Sequence, residues 1–259
     1  MPELGLEALL LLVVSAFLAG AVDAVVGGGG LIQLPALMLA FPGAAPVQLL
    51  ATNKLGSIAG TSMSSLTYLR RVRPDLRTAA PLAVAAFAGS ALGALVAFHI
   101  PRTAFNPIVL VALIAVGGYI VFKPDLGRIE QLRHSGRRHY ASAAVIGAAI
   151  GFYDGALGPG TGSFLVFALV SWLGYAFLEA SAKAKIANFA TNLAALVVFI
   201  PQGAVMWRAG LIIAVANLAG GYVGARVAVA RGAGFIRVVF IVVVSAFALK
   251  IGWDILASR

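Results

Sequence analysis

Two lysines lie inside long apolar runs, and each opens a polar stripe at helical spacing: Lys54, Ser57 and Thr61, then Lys185, Asn188 and Asn192. Residues three and four apart share one face of a helix, so each run presents a single polar face headed by a cation. A lysine at membrane depth costs several kcal/mol unless it is paired or faces water, which marks both positions as candidate functional sites. Two glycine tracts accompany them, GGGG at 27–30 and GPGTG at 158–162, each ending a long apolar run and preceding a short one. Non-helical backbone at membrane depth survives only where it is buried in protein or lines a cavity. A half-helix starting after such a turn aims its free N–H groups and positive dipole end inward, which suits an anion. The chemistry expected is the binding of a small anion, against the alternative that the glycines only allow tight helix packing. Backbone N–H groups of Gly27, Gly28, Gly29 and Gly30 and of Gly158, Gly160 and Gly162 would hold the anion's oxygens together with the amides of Asn188 and Asn192. Lys54 and Lys185 would supply the charge. Asp23 and Asp154 are the partners expected for the lysines, either as structural ion pairs or as proton carriers that couple transport to a gradient.

Other chemistries find little support. No Gly-Lys-Ser/Thr follows either tract, so the nucleotide-binding loops fail in context. There is no cysteine, and His99, His134 and His139 have no second ligand at metal spacing, so neither a metal nor a cofactor is expected. No Ser/His/Asp triad or carboxylate dyad stands at membrane depth. Tyr153, Trp172 and Trp207 fit interfacial anchors, Lys183 and Glu179 fit a snorkelling pair near a boundary, and Thr52 and Asn53 flank Lys54 without polar equivalents in the second half beyond Lys183.

The elements that must position these residues follow from composition. Of 259 residues, 61% are hydrophobic and 11% charged, at a mean hydropathy of +0.99, too little polar side chain to cover a water-facing globule. The excess of ten positive charges would suggest nucleic acid in a soluble protein. Here most of the basic residues fall in short gaps between apolar runs, which is a topology signal instead. A bilayer core needs about 20 apolar helical residues, and eight runs qualify: 6–26, 46–69, 76–99, 103–122, 140–157, 178–200, 208–230 and 235–256. Two more, 30–41 and 161–173, are too short to cross and are expected to be re-entrant. The first run lacks a basic n-region and is expected to stay as a helix. Lys/Arg counting puts the loops carrying Arg70, Arg71, Arg73 and Arg77 and carrying Lys123, Arg128, Arg133, Arg137 and Arg138 in the cytoplasm, with Arg208, Lys250 and Arg259. Arg102, Arg226, Arg231 and Arg237 fall outside, and both termini face the cytoplasm. On this topology both lysines sit about 10 to 12 Å below the outer interface, at ~1.5 Å per residue. If the short runs cross instead, the amino terminus moves outside and the halves become inverted.

The chain also matches itself at an offset of 131. Gly20, Asp23, Gly27, Gly29, Gly43, Ala51, Lys54 and Arg77 fall on Gly151, Asp154, Gly158, Gly160, Gly174, Ala182, Lys185 and Arg208. Residues 1–122 therefore read as a first membrane repeat, 123–139 as a basic cytoplasmic linker and 140–259 as a second repeat. Internal duplication with interrupted segments at equivalent places is the pattern of secondary transporters, whose site lies at the repeat interface.

The stretches VDAVVGGGGLIQLPALM (22–38) and LATNKLGSIAGT (50–61), with GFYDGALGPGTGSF (151–164) and AKAKIANFATN (182–192), resemble the TauE/SafE family of membrane proteins over about residues 6–256. The resemblance implies an all-α polytopic fold and export or carriage of sulfite, organosulfonates or related anions across the cell membrane. By motif position it carries over Gly27 to Gly30, Asn53 and Lys54, then Gly158, Gly160, Gly162, Lys185, Asn188 and Asn192. Pro159 interrupts the second tract where the first has Gly28. The expectation is a secondary transporter of a small sulfur oxyanion and not an enzyme. The alternatives are a carrier of another small anion such as a carboxylate, or a membrane-embedded enzyme acting on a sulfur or lipid-borne substrate. Its partners would be that small anion and the lipid bilayer. No nucleic acid is expected, and a homo-oligomer is left open.

Overall fold

The computed structural model describes residues 5–99 and 130–257; the expected span 103–122, with Arg102, Lys123 and Arg128, lies outside them. The described residues form α1 (Leu6–Val26), α2 (Gly30–Ala40), α3 (Pro46–Arg71), α4 (Leu76–Ala97), α5 (Gly136–Ala156), α6 (Thr161–Ala168), α7 (Phe177–Phe199) and α8 (Trp207–Ala257), with no strand among them. A π-helical turn, Leu169–Leu173, prolongs α6, and Gly232, at φ 73° and ψ −169°, breaks α8. That break falls in the gap expected between the last two apolar runs. α5 starts at Gly136, so His139 belongs to its first turn rather than to the linker.

Among the described residues three helices are long and apolar enough to cross a membrane: α1, α4 and α8 up to Ala246. α3 and α7, with 26 and 23 residues, have the length but carry the polar stripes. They occupy the middle and the apolar helices surround them. The carbonyls of Leu82, Ala86 and Ser90 face Gly147, Gly151 and Gly155, so α4 and α5 run parallel. Phe17 and Ala21 face Gly220 and Gly224, so α1 and α8 also run parallel, and Leu55 against Gly210 with Gly60 against Gly221 gives α3 the same direction. Side chains this small let backbones meet, the usual device between membrane helices. α7 follows α4: Tyr175 bonds Thr78 near their starts, Ser90 donates to the Thr191 carbonyl at 2.8 Å, and Phe98 meets Phe199 at their ends. The short turn at Val72–Asp75 reverses the chain from α3 to α4, so α3 and α7 are antiparallel.

These directions correct the expected topology. α1 and α3 point the same way, so α2 and the turn after it bring the chain back, and α1 with α2 forms a helical hairpin. α5 with α6 does the same from the other end. The starts of α1–α4 at 6, 30, 46 and 76 recur at 136, 161, 177 and 207, a separation of 130 or 131 residues, with every direction reversed. The short segments do not dip in and out of one face between antiparallel neighbours, as expected. The charges sort differently too. Arg226 shares a cleft with Arg70 and Arg71, while Arg208 stands at the start of α8, beyond Met206, whose N–H meets Thr52 at the other end. One end of the molecule, the basic end, thus carries Arg70, Arg71, Arg73, Arg77, Arg133, Arg137, Arg138 and Arg226.

At that end Asp75 caps α4, accepting from the Arg77 N–H at 3.0 Å and the Thr78 hydroxyl at 2.9 Å. Partial burial raises its pKa, but these hydrogen bonds outweigh it and hold the carboxyl below its usual range. A depressed folded value stabilises above the ordinary pKa and is lost as pH falls through the folded one. Asp75→Ala is expected to lower stability by about 1 kcal/mol at pH 7. In thermal melts the gap between wild type and variant should narrow as acid protonates Asp75; a gap that stays constant through that titration refutes the assignment.

Candidate functional site

Gly27, at φ 82° and ψ 165°, ends α1, and Gly28 follows at φ 102°. These angles are open to glycine and let the chain reverse within three residues. Gly29 then packs on the Ala19 carbonyl, and its N–H reaches Asp23 Oδ1 at 3.4 Å. In the other hairpin Gly158 and Gly160 have φ of 90° and 81°. Thr161 Oγ1 donates to the Gly158 carbonyl at 2.8 Å, and the Tyr153 hydroxyl donates to the Pro159 carbonyl at 2.6 Å. Tyr153 therefore braces the second turn rather than standing at an interface.

The two hairpin tips meet. Gly27 packs against Gly162, Gly30 lies against Pro159, and Ser163 Oγ donates to the carbonyls of Val26 and Gly27 at 3.1 and 3.2 Å. A Cβ on Gly162 would stand 2.6 Å from the Gly27 Cα, so both residues must be glycine for this approach. The N-termini of α2 and α6 consequently open on one shared space.

The charged pairs cross between the halves. Lys54 Nζ lies 2.6 Å from Asp154 Oδ2, both side chains 2% exposed. Lys185 Nζ lies 3.2 Å from Asp23 Oδ2 and also donates to the Asp23 carbonyl. Because α3 and α7 are antiparallel, Lys54 is displaced toward the end opposite the basic one and Lys185 toward the basic end. They do not share a depth on one side, as the expected topology had it. The stripes meet between them: Asn192 Nδ2 donates to Thr61 Oγ1 at 3.4 Å, and the Thr61 hydroxyl donates to the Ser57 carbonyl at 2.8 Å.

A cavity of about 20 Å³ sits at this junction, room for a water but not for a three-oxygen anion. Of the expected residues, Gly28, Gly30, Asn53, Lys54, Ser57, Gly158, Gly160, Gly162, Asn188 and Asn192 line it, together with Asp23 and Asp154. Gly27 and Gly29 hold the turn behind it, Thr61 lies beneath, and Lys185 sits one layer away on Asp23. Thr161 also lines the cavity and was not singled out by sequence; its signal was its place at the repeat position of Gly30, first in α6. Asn53 Oδ1 is buried without a hydrogen-bond partner among the described residues, an unmet need facing the cavity. Two apolar clusters close the site, one around Tyr68, Leu82, Leu165 and Phe177 toward the basic end, the other around Leu12, Leu49, Phe199 and Ile213 toward the opposite end.

The remaining candidates are placed elsewhere. Lys183 is buried, pairs with Glu179 at 2.8 Å and lies 4.1 Å above the centre of the Tyr175 ring, so it does not snorkel. His139 Nε2 bonds the Tyr175 and Thr78 hydroxyls at 2.8 and 3.1 Å. Trp172 and Trp207 are half exposed. No group of three or more potential metal ligands occurs among the described residues.

Chemically the site holds two buried cations, two carboxylates and two half-helix N-termini, the first of which meets Asp23 through the Gly29 N–H. The family model described as sulfite exporter TauE/SafE matches residues 12–251. The chain is 38% identical to a probable membrane transporter protein, ORF9, of Sinorhizobium sp over 97% of this chain and 95% of that one. It is 33% identical to a probable membrane transporter protein of Haemophilus influenzae over 97% of both chains, and 34% identical to the probable membrane transporter protein YfcA of Escherichia coli K12 over 92% and 87%. No solved structure matches.

Proposed function

The chain belongs to the TauE/SafE family of membrane transporters, and from that premise we propose that it carries a small sulfur oxyanion, such as sulfite or a sulfonate, across the cytoplasmic membrane. The observation that carries this reading is the convergence of two half-helix N-termini, at Gly28–Gly30 and Gly160–Gly162, on a cavity flanked by crossed lysine–aspartate pairs. Sulfite presents several acceptor oxygens, which suit backbone N–H groups, the amides of Asn53, Asn188 and Asn192, and the hydroxyls of Ser57 and Thr161. A planar carboxylate uses fewer of them.

In this reading the chain is an inverted duplication. With the basic end in the cytoplasm, the amino terminus lies outside, and the two ion pairs stand on opposite sides of the bound anion. Inverted repeats that rock about a central site give alternating access. Opening toward the basic end would part Lys185 from Asp23, and opening the other way would part Lys54 from Asp154. A freed lysine faces the anion while its aspartate takes up a proton, which couples the two movements.

The test is uptake of labelled sulfite into proteoliposomes, with competing sulfonate, sulfate and acetate, with and without an imposed pH gradient. Sulfite or a sulfonate should compete best and the gradient should change the flux. Preferential competition by acetate would replace the sulfur oxyanion with a carboxylate as substrate, and flux indifferent to the gradient would remove the aspartates from coupling.

A further inference from the structure

A second cluster of cations lies outside the transport site. Where the last turn of α3 meets α8 there is a cleft of about 180 Å³, lined by Met63, Leu66, Arg70, Arg71, Tyr222 and Arg226. Arg70, Arg71, Tyr222 and Arg226 are exposed, and so is Leu66. Arg226 is held in place: Nη1 donates to the Tyr222 hydroxyl at 2.8 Å and the guanidinium carbon lies 5.4 Å from the ring centre. None of the three arginines has a carboxylate partner among the described residues. The cleft is thus apolar toward the middle of the helices and cationic at their end.

The duplication supplies an internal control. The equivalent place at the opposite end, between α7 and α4, has Ala194 and Val197 where the cleft has Met63 and Leu66, Pro201 and Gln202 where it has Arg70 and Arg71, and Ala91 and Leu95 where it has Tyr222 and Arg226. The same helix packing forms there without a charge, so packing does not require the arginines. Their presence at one end alone calls for something found on one side only.

We propose that this cleft binds an anionic phospholipid of the leaflet on the basic side, an inference that rests on the membrane placement above but not on the substrate. Arginine forks bind phosphate oxygens in pairs, and basic pockets between helices at the cytoplasmic face suit anionic headgroups. The phosphate sits on Arg70, Arg71 and Arg226, and one acyl chain runs down Leu66 and Met63. The charge is complementary, and the exposed Leu66 gives the cleft an apolar side along which an acyl chain can lie.

Native mass spectrometry of the full chain in detergent, titrated with phosphatidylglycerol or phosphatidylcholine, tests this. The wild type is expected to bind phosphatidylglycerol at least about tenfold more tightly than phosphatidylcholine. An R70Q/R71Q/R226Q variant should bring the two within about twofold of each other, whereas R137Q/R138Q, at the same end but outside the cleft, keeps the preference. Equal phosphatidylglycerol binding by wild type and triple variant overturns the proposal, as does equal loss in the R137Q/R138Q control. Displacement of the lipid by an equal concentration of inorganic phosphate overturns it in favour of a free-anion site. Should the triple variant fail to fold, Leu66→Trp, which fills the apolar half and leaves every charge, must lower phosphatidylglycerol binding by a similar factor; unchanged binding overturns the proposal.

Discussion

Lys54→Met is expected to lower stability by about 3–5 kcal/mol, because it leaves the Asp154 carboxylate buried without its cation. Lys54 is 1% exposed and, among the described residues, its carboxylate contact is Asp154, at 2.6 Å. Replacing both partners, as Lys54→Met with Asp154→Met, removes the uncompensated charge and should restore stability to within about 1 kcal/mol of wild type, since a packed apolar pair often matches a buried ion pair. Transport separates the two roles. If the lysine faces the anion, the double variant folds yet moves sulfite at least about 100-fold more slowly, the equivalent of some 3 kcal/mol at the site. The readout is a chemical melt beside proteoliposome flux on the same preparation. A stable double variant with wild-type flux would show that the pair only holds helices together. The same set at Lys185 and Asp23 should behave alike, with a smaller stability loss because Asp23 is partly exposed, 15% for its side chain.

Gly27→Ala should be among the most damaging single-methyl changes in the described residues. At φ 82° and ψ 165° an alanine is strained by about 1–3 kcal/mol before any contact is considered. Its Cβ would also fall on the Gly162 carbonyl carbon and the Ser163 nitrogen, backbone atoms with no rotamer to yield. The only relief is to part the hairpin tips, which breaks the Ser163 hydrogen bonds and opens the core. A loss above ~4 kcal/mol is expected, read as absence of a monodisperse peak in size-exclusion chromatography. Gly28→Ala is the control. It shares the backbone strain, at φ 102°, but its Cβ meets nothing closer than Ser163 Oγ at 3.5 Å, so folded protein should be recovered. Equal behaviour of the two variants would mean that the tip contact is unimportant.

The candidate site was largely legible because its residues violate the composition around them. Lys54, Asp154 and the glycine tracts stand out against apolar neighbours, and the offset of 131 doubled each signal. Helix direction was not legible. An eleven-residue run such as 30–40 is compatible with a dip or with a return leg, and only the glycine contacts of α4 with α5 and of α3 with α8 decide between them. The positive-inside count went astray for the same reason: with α8 reversed, Arg226 changes ends and joins Arg70. Tyr153 and Lys183 were misread because an aromatic or a lysine near a helix end suits a membrane boundary by type. Their hydrogen bond to Pro159 and stacking on Tyr175 come from parts of the chain that sequence spacing does not bring together.

The exchange of helices between the halves bears on how the chain is made. α1 rests on α8 and α4 on α5, so the first four helices leave the ribosome before most of their packing partners exist. Lys54 enters the bilayer about a hundred residues ahead of Asp154. A lone lysine at that depth is costly, so α3 must wait at the translocon or remain in a watery setting until the second hairpin arrives. Assembly is therefore obligatorily late. A ribosome stalled before residue 154 would hold a chain whose central helix has yet to settle in the membrane, and quality-control proteases would meet it in that state.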